Sequence, residues 1–215
     1  MKKILLVVSF VFAVMAASSQ LYVGGALGFA LDGAPKDKDG NKWGTSSSIF
    51  GIVPEVGFGL SEKFDVGISI GFISAKETGW NNNEKTGSTV SSLFAASPYV
   101  RYSFVEFGKF SLLGKAAFNI GFGTEKDLDK DGKEIDGSKT GLTNIGVAIT
   151  PVVLFDLSDR ICLYTNLNFA GLEFNSTSYK VDGEKTGSQS EFGVGINTDN
   201  AFTTGAIQVG FVFKF

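Results

Sequence analysis

The feature that most constrains the fold of this chain is a hydrophobic alternation of period two, which recurs along most of the sequence after residue 20. From Phe64 to Phe72, and again from Ile207 to Phe215, large apolar side chains alternate with small or polar ones. Successive side chains of a β-strand point to opposite faces, so the alternation predicts strands with one large apolar face and one small face. The sequence also contains 28 glycines, and each glycine inside a helix costs about 1 kcal/mol relative to alanine. We therefore expect an all-β fold.

The composition of the small face distinguishes a soluble β protein from a membrane barrel. A soluble sheet protein buries its large apolar face and turns a charged face to water. Here the second face consists mainly of Gly, Ala, Ser and Asn, with few charges. A bulky apolar exterior around a small polar interior is typical of transmembrane β-barrels. We expect an antiparallel up-and-down transmembrane barrel rather than a soluble periplasmic or secreted protein.

Eight strands are predicted, and the segments that connect them alternate between short and long. The predicted strands span 20–31, 48–60, 64–75, 88–104, 110–123, 142–157, 160–173 and 189–215. The long polar connections span 32–47, 76–87, 124–141 and 174–188. Short periplasmic turns and long outer loops are typical of transmembrane barrels. In the last segment the apolar residues pass from even to odd positions, which predicts a bulge or bend near 198–204.

The N-terminus predicts export from the cytoplasm. Lys2 and Lys3 precede an apolar run at 4–17, which is followed by small residues. This run is shorter than the roughly 20 residues that a membrane-spanning helix needs, and its length is typical of a cleaved signal peptide. We expect a signal peptide at 1–19 and a barrel domain at 20–215, located in the outer membrane of a Gram-negative cell.

Composition excludes several classes of function. The 215 residues include no histidine, which removes a common catalytic base and the commonest metal ligand. The single cysteine, Cys162, cannot form an internal disulfide, and we interpret it as a small buried residue. The net charge is −3 and there is no basic stripe, so a nucleic-acid partner is not expected. We expect no enzymatic activity and no cofactor.

Four charged residues fall on the small face, which would line the barrel lumen: Glu55, Asp65, Arg101 and Lys115. Isolated buried charges are costly, so charges inside a narrow barrel must pair with one another. The pattern predicts an internal ion network that fills the lumen. A path for protons or ions is the alternative interpretation of the same residues.

An acidic segment resembles the opening of a calcium-binding loop, with Asp127, Asp129 and Asp131 followed by Gly132. The twelfth position of such a loop, which should hold a glutamate, is Ser138. Asp-Gly pairs are also typical of tight hairpin turns. The segment is therefore a weak metal-site candidate, and a hairpin tip is the simpler interpretation.

Several stretches resemble the small outer-membrane β-barrel family of the OmpA-transmembrane and OmpX type, at 54–67, 97–102, 150–163 and 209–215. The first three resemble parts of the strand–turn–strand units of that family, and the last resembles its terminal strand. The resemblance implies outer-membrane lipid and the outer-membrane assembly machinery as partners. It also implies an assembly signal formed by Phe211, Phe213 and Phe215.

The predicted function is that of a structural and surface-interaction barrel. An eight-stranded barrel leaves an interior that side chains just fill, so a general diffusion pore is not expected. Binding of an extracellular ligand would take place at the outer loops, where Trp43 and Trp80 either contact a partner or pack one loop on another. The alternative is a narrow channel or small-ligand transport barrel that is gated by the charged network.

Overall fold

The structure is a computed structural model, and it describes residues 21–168, 170–196 and 207–215. The predicted signal peptide at 1–19 and the predicted bend near 198–204 lie outside the described residues. Within the described ranges, no helix is long and apolar enough to cross a membrane.

The described part of the chain forms one antiparallel sheet. Its strands are β1 Leu21–Asp32, β2 Gly44–Ser61, β3 Phe64–Asn81, β4 Glu84–Phe107, β5 Phe110–Leu128, β6 Thr140–Asp156, β7 Ile161–Leu167, β8 Ala170–Val181, β9 Glu184–Ile196 and β10 Ile207–Lys214. Eight of them close into a ring, in the order β1, β2, β3, β4, β5, β6, β7, β10 and back to β1. The prediction of an eight-stranded antiparallel up-and-down barrel is confirmed.

The register of the ring fixes its dimensions. Paired residues followed from Leu27 through β2 to β5 reach Thr143 of β6, whereas those followed through β10 and β7 reach Val153. Thr143 and Val153 are ten residues apart along β6, and this offset on going once round the ring is the shear of the barrel. Eight strands with this shear tilt by about 40° from the barrel axis.

The seventh strand of the ring is interrupted, which the sequence interpretation missed when it placed one strand at 160–173. The lower part of β6, nearest the short turns (Val152–Asp156), pairs with β7, and its upper part (Gly141–Ile149) pairs with β8. Large apolar residues move from odd positions, Ile161 and Leu163, to even ones, Leu172 and Phe174, so the sequence does carry a signal of the break. After the break, Gly171 has a φ of 128°, and a Cβ there would collide with the Ile149 carbonyl oxygen.

Two of the four predicted long loops are instead paired strands. The segments at 76–87 and 174–188 form hairpins that end in the two-residue turns Asn82-Asn83 and Asp182-Gly183. All four turn residues have positive φ, between 50° and 85°, as a type I′ turn requires. These hairpins were missed because both of their faces are polar, which removes the hydrophobic alternation. The connections after β1 and β5 remain loops.

The eighth segment divides as the phase slip predicts. Its upper part, β9, extends the outer hairpin by pairing with β8, and its lower part, β10, closes the ring against β1. The start of β1 and the end of β10 lie at the same end of the barrel as the short turns after β2, β4 and β6.

Closure of the ring can be tested with a disulfide between β1 and β10. Leu27 and Val209 are directly opposite each other, and Cα atoms of such pairs are about 4.5–5.5 Å apart, within disulfide range. We expect Leu27→Cys with Val209→Cys to cross-link on oxidation of the folded protein, and gel mobility before and after reduction will show it. Cys162→Ser in both variants removes the native thiol.

The matched control is Leu27→Cys with Thr165→Cys. Thr165 lies one strand further round the ring, so these Cα atoms are about 10 Å apart. Folded protein that fails to cross-link at 27 and 209, or that cross-links equally at 27 and 165, contradicts the closure.

Candidate functional site

The four lumen charges predicted from the sequence lie together in the half of the barrel near the short turns. Asp65 of β3 is directly opposite Arg101 of β4, which is directly opposite Lys115 of β5. Glu55 of β2 projects from the same inner face. Because alternate residues of each strand share a face, the register places all four side chains in the lumen.

Arg101 is the centre of this cluster. Its Nη1 lies 3.3 Å from Glu55 Oε1, and its Nε lies 3.4 Å from Asp65 Oδ2. Lys115 Nζ lies 4.0 Å from Glu55 Oε2. The side chains of Arg101 and Glu55 are 2% and 1% exposed. Two cations and two carboxylates thus balance in a region that excludes most solvent, as buried charges require.

Two tyrosines complete the cluster, and the sequence interpretation did not assign them to it. The Arg101 guanidinium carbon lies 4.8 Å from the centre of the Tyr22 ring and 5.1 Å from that of Tyr99. Lys115 Nζ lies 4.3 Å from the Tyr99 ring centre, and the two tyrosine hydroxyls are 3.1 Å apart. For Tyr22, the signal available in the sequence was a tyrosine on a face otherwise made of glycine and alanine. We call Glu55, Asp65, Arg101, Lys115, Tyr22 and Tyr99 the lumen plug.

Glycines on neighbouring strands make room for the lumen tyrosines. A Cβ on Gly67 would lie 2.6 Å from Tyr99 Cζ, and one on Gly210 would lie 2.5 Å from Tyr164 Cζ. Such contacts are closer than van der Waals packing allows, so these positions accept only glycine unless the ring moves. The small face of the barrel is therefore shaped to fit particular aromatic rings.

Apolar side chains fill the lumen beside and below the plug. The buried set comprises Leu113, Val152, Leu154, Cys162, Tyr164 and Val212. Cys162, expected to be a small buried residue, is fully buried, and its Sγ donates to Asp156 Oδ1 at 2.7 Å. Together with the plug, this packing closes the barrel at the end with the short turns.

The opposite half of the lumen is open and polar. Its mouth contains a cavity of about 370 Å³ whose lining includes Thr45, Glu77, Thr89, Asp127 and Ile135. The two carboxylates are exposed. The barrel therefore consists of a closed lower half and a solvent-accessible upper half.

The acidic segment after β5 is a structured loop. Asp129 Oδ1 accepts backbone N–H groups of Asp131 and Lys133, both at 2.9 Å, while Asp127 Oδ1 accepts the Thr89 hydroxyl at 2.7 Å. In the part of the chain that the structure describes, no group of three or more His, Cys, Asp or Glu side chains is arranged to hold a metal ion. These carboxylates instead hold the loop and its neighbour in shape.

The loop after β1 repeats this arrangement. Asp37 Oδ1 accepts the N–H groups of Asn41 and Asp39 at 2.8 and 2.9 Å. The hydrogen bond from the Asn41 amide is the main reason that the pKa of Asp37 lies below its usual value. Both loops thus use the first aspartate of an Asp-Lys-Asp-Gly sequence to order a tight turn.

The two tryptophans differ in their surroundings. Trp80 packs between strands, since its Nε1 donates to Ser46 Oγ at 2.8 Å and Lys42 Nζ lies 4.6 Å from its ring. Trp43, in the loop after β1, is 54% exposed. Of the two predicted roles, Trp80 has the packing role, and Trp43 is the one that is open to a partner.

The aromatic residues of the implied assembly signal lie on the outer face of β10. Phe211 and Phe215 are exposed, and the Phe213 and Phe215 rings meet edge to face at 5.1 Å. Phe213 is opposite Val23 of β1, so this face continues onto the neighbouring strand.

Removing the central guanidinium should strongly destabilise the barrel. We expect Arg101→Ala to lower the free energy of unfolding by about 3–5 kcal/mol, because it leaves the buried Glu55 carboxylate without its nearest partner. Urea titration in detergent micelles measures the change. Arg160→Ala, in the exposed turn after β6, is the control and should leave the midpoint almost unchanged. Equal midpoints for the two variants would show that Arg101 is not paired in the folded protein.

The fit between glycine and tyrosine gives a second prediction. Gly67→Ala would push against Tyr99 and also against the Val56 carbonyl oxygen, at 2.7 Å. Overpacking of this kind costs about 1–3 kcal/mol. Gly71→Ala, on the same face of β3, meets Val53 Cγ2 at an ordinary 3.6 Å and should be nearly neutral. The same urea titration compares them, and a Gly71→Ala variant as unstable as Gly67→Ala would contradict the specific fit.

No protein-family model matches the chain, and no curated protein matches it significantly. Among solved structures, it is similar to Neisserial surface protein A, at 12% identity over 92% of this chain and 98% of that one, with a TM-score of 0.44.

Two further solved structures are similar over most of their length. A major outer membrane protein from Thermus thermophilus is 12% identical over 91% of this chain and 98% of that one, with a TM-score of 0.46. The outer membrane protease OmpT from Escherichia coli is 8% identical over 91% and 94%, with a TM-score of 0.33. At these identities and TM-scores, the likenesses establish neither a family nor an activity for this chain.

Proposed function

We propose that the chain is an integral outer-membrane β-barrel with a closed lumen, which acts as a structural and surface-interaction protein through its outer hairpins and loops. The observation that carries this proposal is the combination of a closed ring with an exposed apolar exterior. Phe29 is 82% exposed, and Phe94, Phe122 and Phe211 are also largely exposed. Water-soluble proteins rarely expose contiguous apolar surface of this kind.

The height of the apolar exterior matches a bilayer. On β5 the outward residues are apolar or small from Phe110 to Phe122. At about 3.3 Å per residue and a tilt of about 40°, this stretch spans roughly 30 Å along the barrel axis. The hydrocarbon core of a bilayer is about as thick.

The lengths of the connections support an orientation. The short turns lie at one end, together with the start of β1 and the end of β10, and the long hairpins and loops lie at the other. Transmembrane barrels keep short turns on the periplasmic side and longer loops outside. In this orientation the outer face of β10 also lies in the lipid-facing band, and we propose that the assembly machinery recognises this face.

An ordered outer surface supports the interaction role. The loop after β1 is fixed to the tip of the β3–β4 hairpin, since Lys42 N donates to Asn83 Oδ1 at 2.8 Å and Asn83 Nδ2 donates to Asn41 Oδ1 at 2.7 Å. A surface ordered before binding loses less conformational entropy when a ligand binds. The exposed Trp43 lies in this fixed loop and is a suitable anchor.

A narrow channel remains the second candidate because the upper half of the lumen is open and polar. Among the residues that the structure describes, the lumen plug and the packing beside it separate this open half from the periplasmic end. If the plug opened, water would fill the lumen along its full length.

Reconstitution distinguishes these functions. We expect the protein to fold in detergent micelles and lipid vesicles to a form that migrates differently on gels after heating, and to carry no steady ion current in planar bilayers. The buried plug is the physical reason for the closed state. A folded monomer in plain buffer would overturn the membrane proposal, whereas a steady current from folded protein would replace the surface role with the channel. The Arg101→Ala variant, examined in the same bilayer, reports whether the plug is the barrier.

A further inference from the structure

The outer face of the barrel changes character abruptly above the apolar band. On β3 to β5, one row of paired outward residues is aromatic and the next outward row above it carries hydroxyl groups, whereas on β2 the residue opposite that second row is still aromatic, Phe50. The aromatic row is Phe72, Phe94 and Phe122, and the hydroxyl row is Ser74, Ser92 and Thr124. The row after that contains Lys76, Val90 and Lys126. The strands continue beyond this boundary, so the hydroxyls and lysines stand on the rigid wall of the barrel.

Charges above the apolar band are sorted between the two faces of the wall. In the described strands above the band, the outward charges include Lys76, Lys126 and Lys180, as well as Lys185, which is directly opposite Lys180. The inward charges there are all carboxylates: Asp32, Glu77, Glu125, Asp127, Glu173 and Glu191. Lys76 stands next to Glu77 in the sequence, and Lys126 stands between Glu125 and Asp127, yet in each case the two signs point to opposite sides.

This separation of positive and negative side chains is not the arrangement that would most stabilise a sheet in water. Opposite charges stabilise a sheet when they are directly opposite each other on one face. Lys76 is instead opposite Ser48 and Val90, and Lys180 is opposite Gly141 and Lys185. Lys126 does reach Glu134 at 2.8 Å, but that glutamate belongs to the loop after β5 and the pair is exposed. The wall therefore presents positive charge outward and negative charge inward.

The height of the lysines identifies what they would meet. Each outward row lies about 5 Å above the previous one along the axis of a barrel tilted by about 40°. Lys76 and Lys126 are thus two outward rows, or about 10 Å, above Phe72 and Phe122 of their own strands, and Lys180 is three rows, or about 15 Å, above Phe174. Lysine stems can bend back toward the membrane. Lipid headgroups occupy roughly this zone outside the hydrocarbon core.

We propose that Lys76, Lys126 and Lys180, together with the hydroxyl row below them, bind the anionic phosphate headgroups of lipids in the outer leaflet. This inference rests on the proposed membrane location. Three lysines on the outer wall attract phosphate, and the hydroxyls supply further donors to phosphate oxygens. The strand carboxylates at this height face the lumen, away from these headgroups, and Glu134 of the loop after β5 is the carboxylate that reaches Lys126 on the outer side.

The test compares thermal unfolding of the protein in phosphatidylcholine vesicles with and without phosphatidic acid. We expect phosphatidic acid, whose anionic phosphate is not balanced by a choline cation, to raise the unfolding midpoint of the native chain by about 5 °C, measured from the heat-dependent gel shift. The variant Lys76→Gln/Lys126→Gln/Lys180→Gln should keep its midpoint in pure phosphatidylcholine and lose the rise. The control Lys38→Gln/Lys130→Gln/Lys133→Gln removes the same charge from the loops after β1 and β5, and should keep the rise.

Three outcomes would overturn the proposal: no rise for the native chain, a rise that survives in the wall variant, or an equal rise when inorganic phosphate is added to pure phosphatidylcholine vesicles. Should the wall variant fail to fold, the native chain alone decides, because a rise due to lysine–phosphate attraction must shrink as salt is added. Failure to fold into either kind of vesicle would instead refute the membrane proposal itself, so the two failures are distinguishable.

Discussion

Pairing of β1 with β10 is the constraint on which the rest of the structure depends. A strand in hydrocarbon has no water to satisfy its N–H and C=O groups, so a sheet can lie there only when its two edges pair with each other. With eight strands and a shear of ten residues, closure sets a tilt of about 40° and a radius of about 8 Å. An interior of that size cannot hold large side chains at every inward position. The small face of the alternation is therefore a consequence of closure, as the large face is a consequence of the surrounding lipid that we propose.

The lumen plug uses the limited space for a few large side chains. Tyr22 and Tyr99 occupy the lumen where neighbouring strands contribute glycine, whereas Arg101 lies between Asp65 and Lys115. The charges meet because β2 to β5 bring their inward residues close together. A buried ion pair is weak evidence for stability, since its desolvation offsets much of its attraction. Its effect on register is more direct. A slip of one residue between β3 and β4 would turn Arg101 outward, away from Asp65, and leave the carboxylate without its cation.

The sequence was informative where the two faces of a strand meet different surroundings. The alternation from Phe64 to Phe72 predicted the strand, its inward face and the position of Asp65, and the parity of Glu55, Arg101 and Lys115 predicted that they share the lumen. It failed above the apolar band, where polar residues occupy both faces of the hairpin around Asn82. The partners of each charge, and the tyrosines around Arg101, depend on the shear, which no local pattern in a single strand encodes.

The sorted charges also bear on the alternative function of the lumen. The plug contains two cations and two carboxylates and adds little net charge, whereas the inward charges of the described strands above it are all carboxylates. Low-dielectric walls focus the field of such groups into the lumen, which enriches cations there and excludes anions. An opening of the plug would therefore produce a cation-selective path, with selectivity set at the outer mouth and closure set by Arg101. Ion selectivity and closure thus depend on different parts of the same strands, so a substitution at the mouth can change the selectivity without opening the plug.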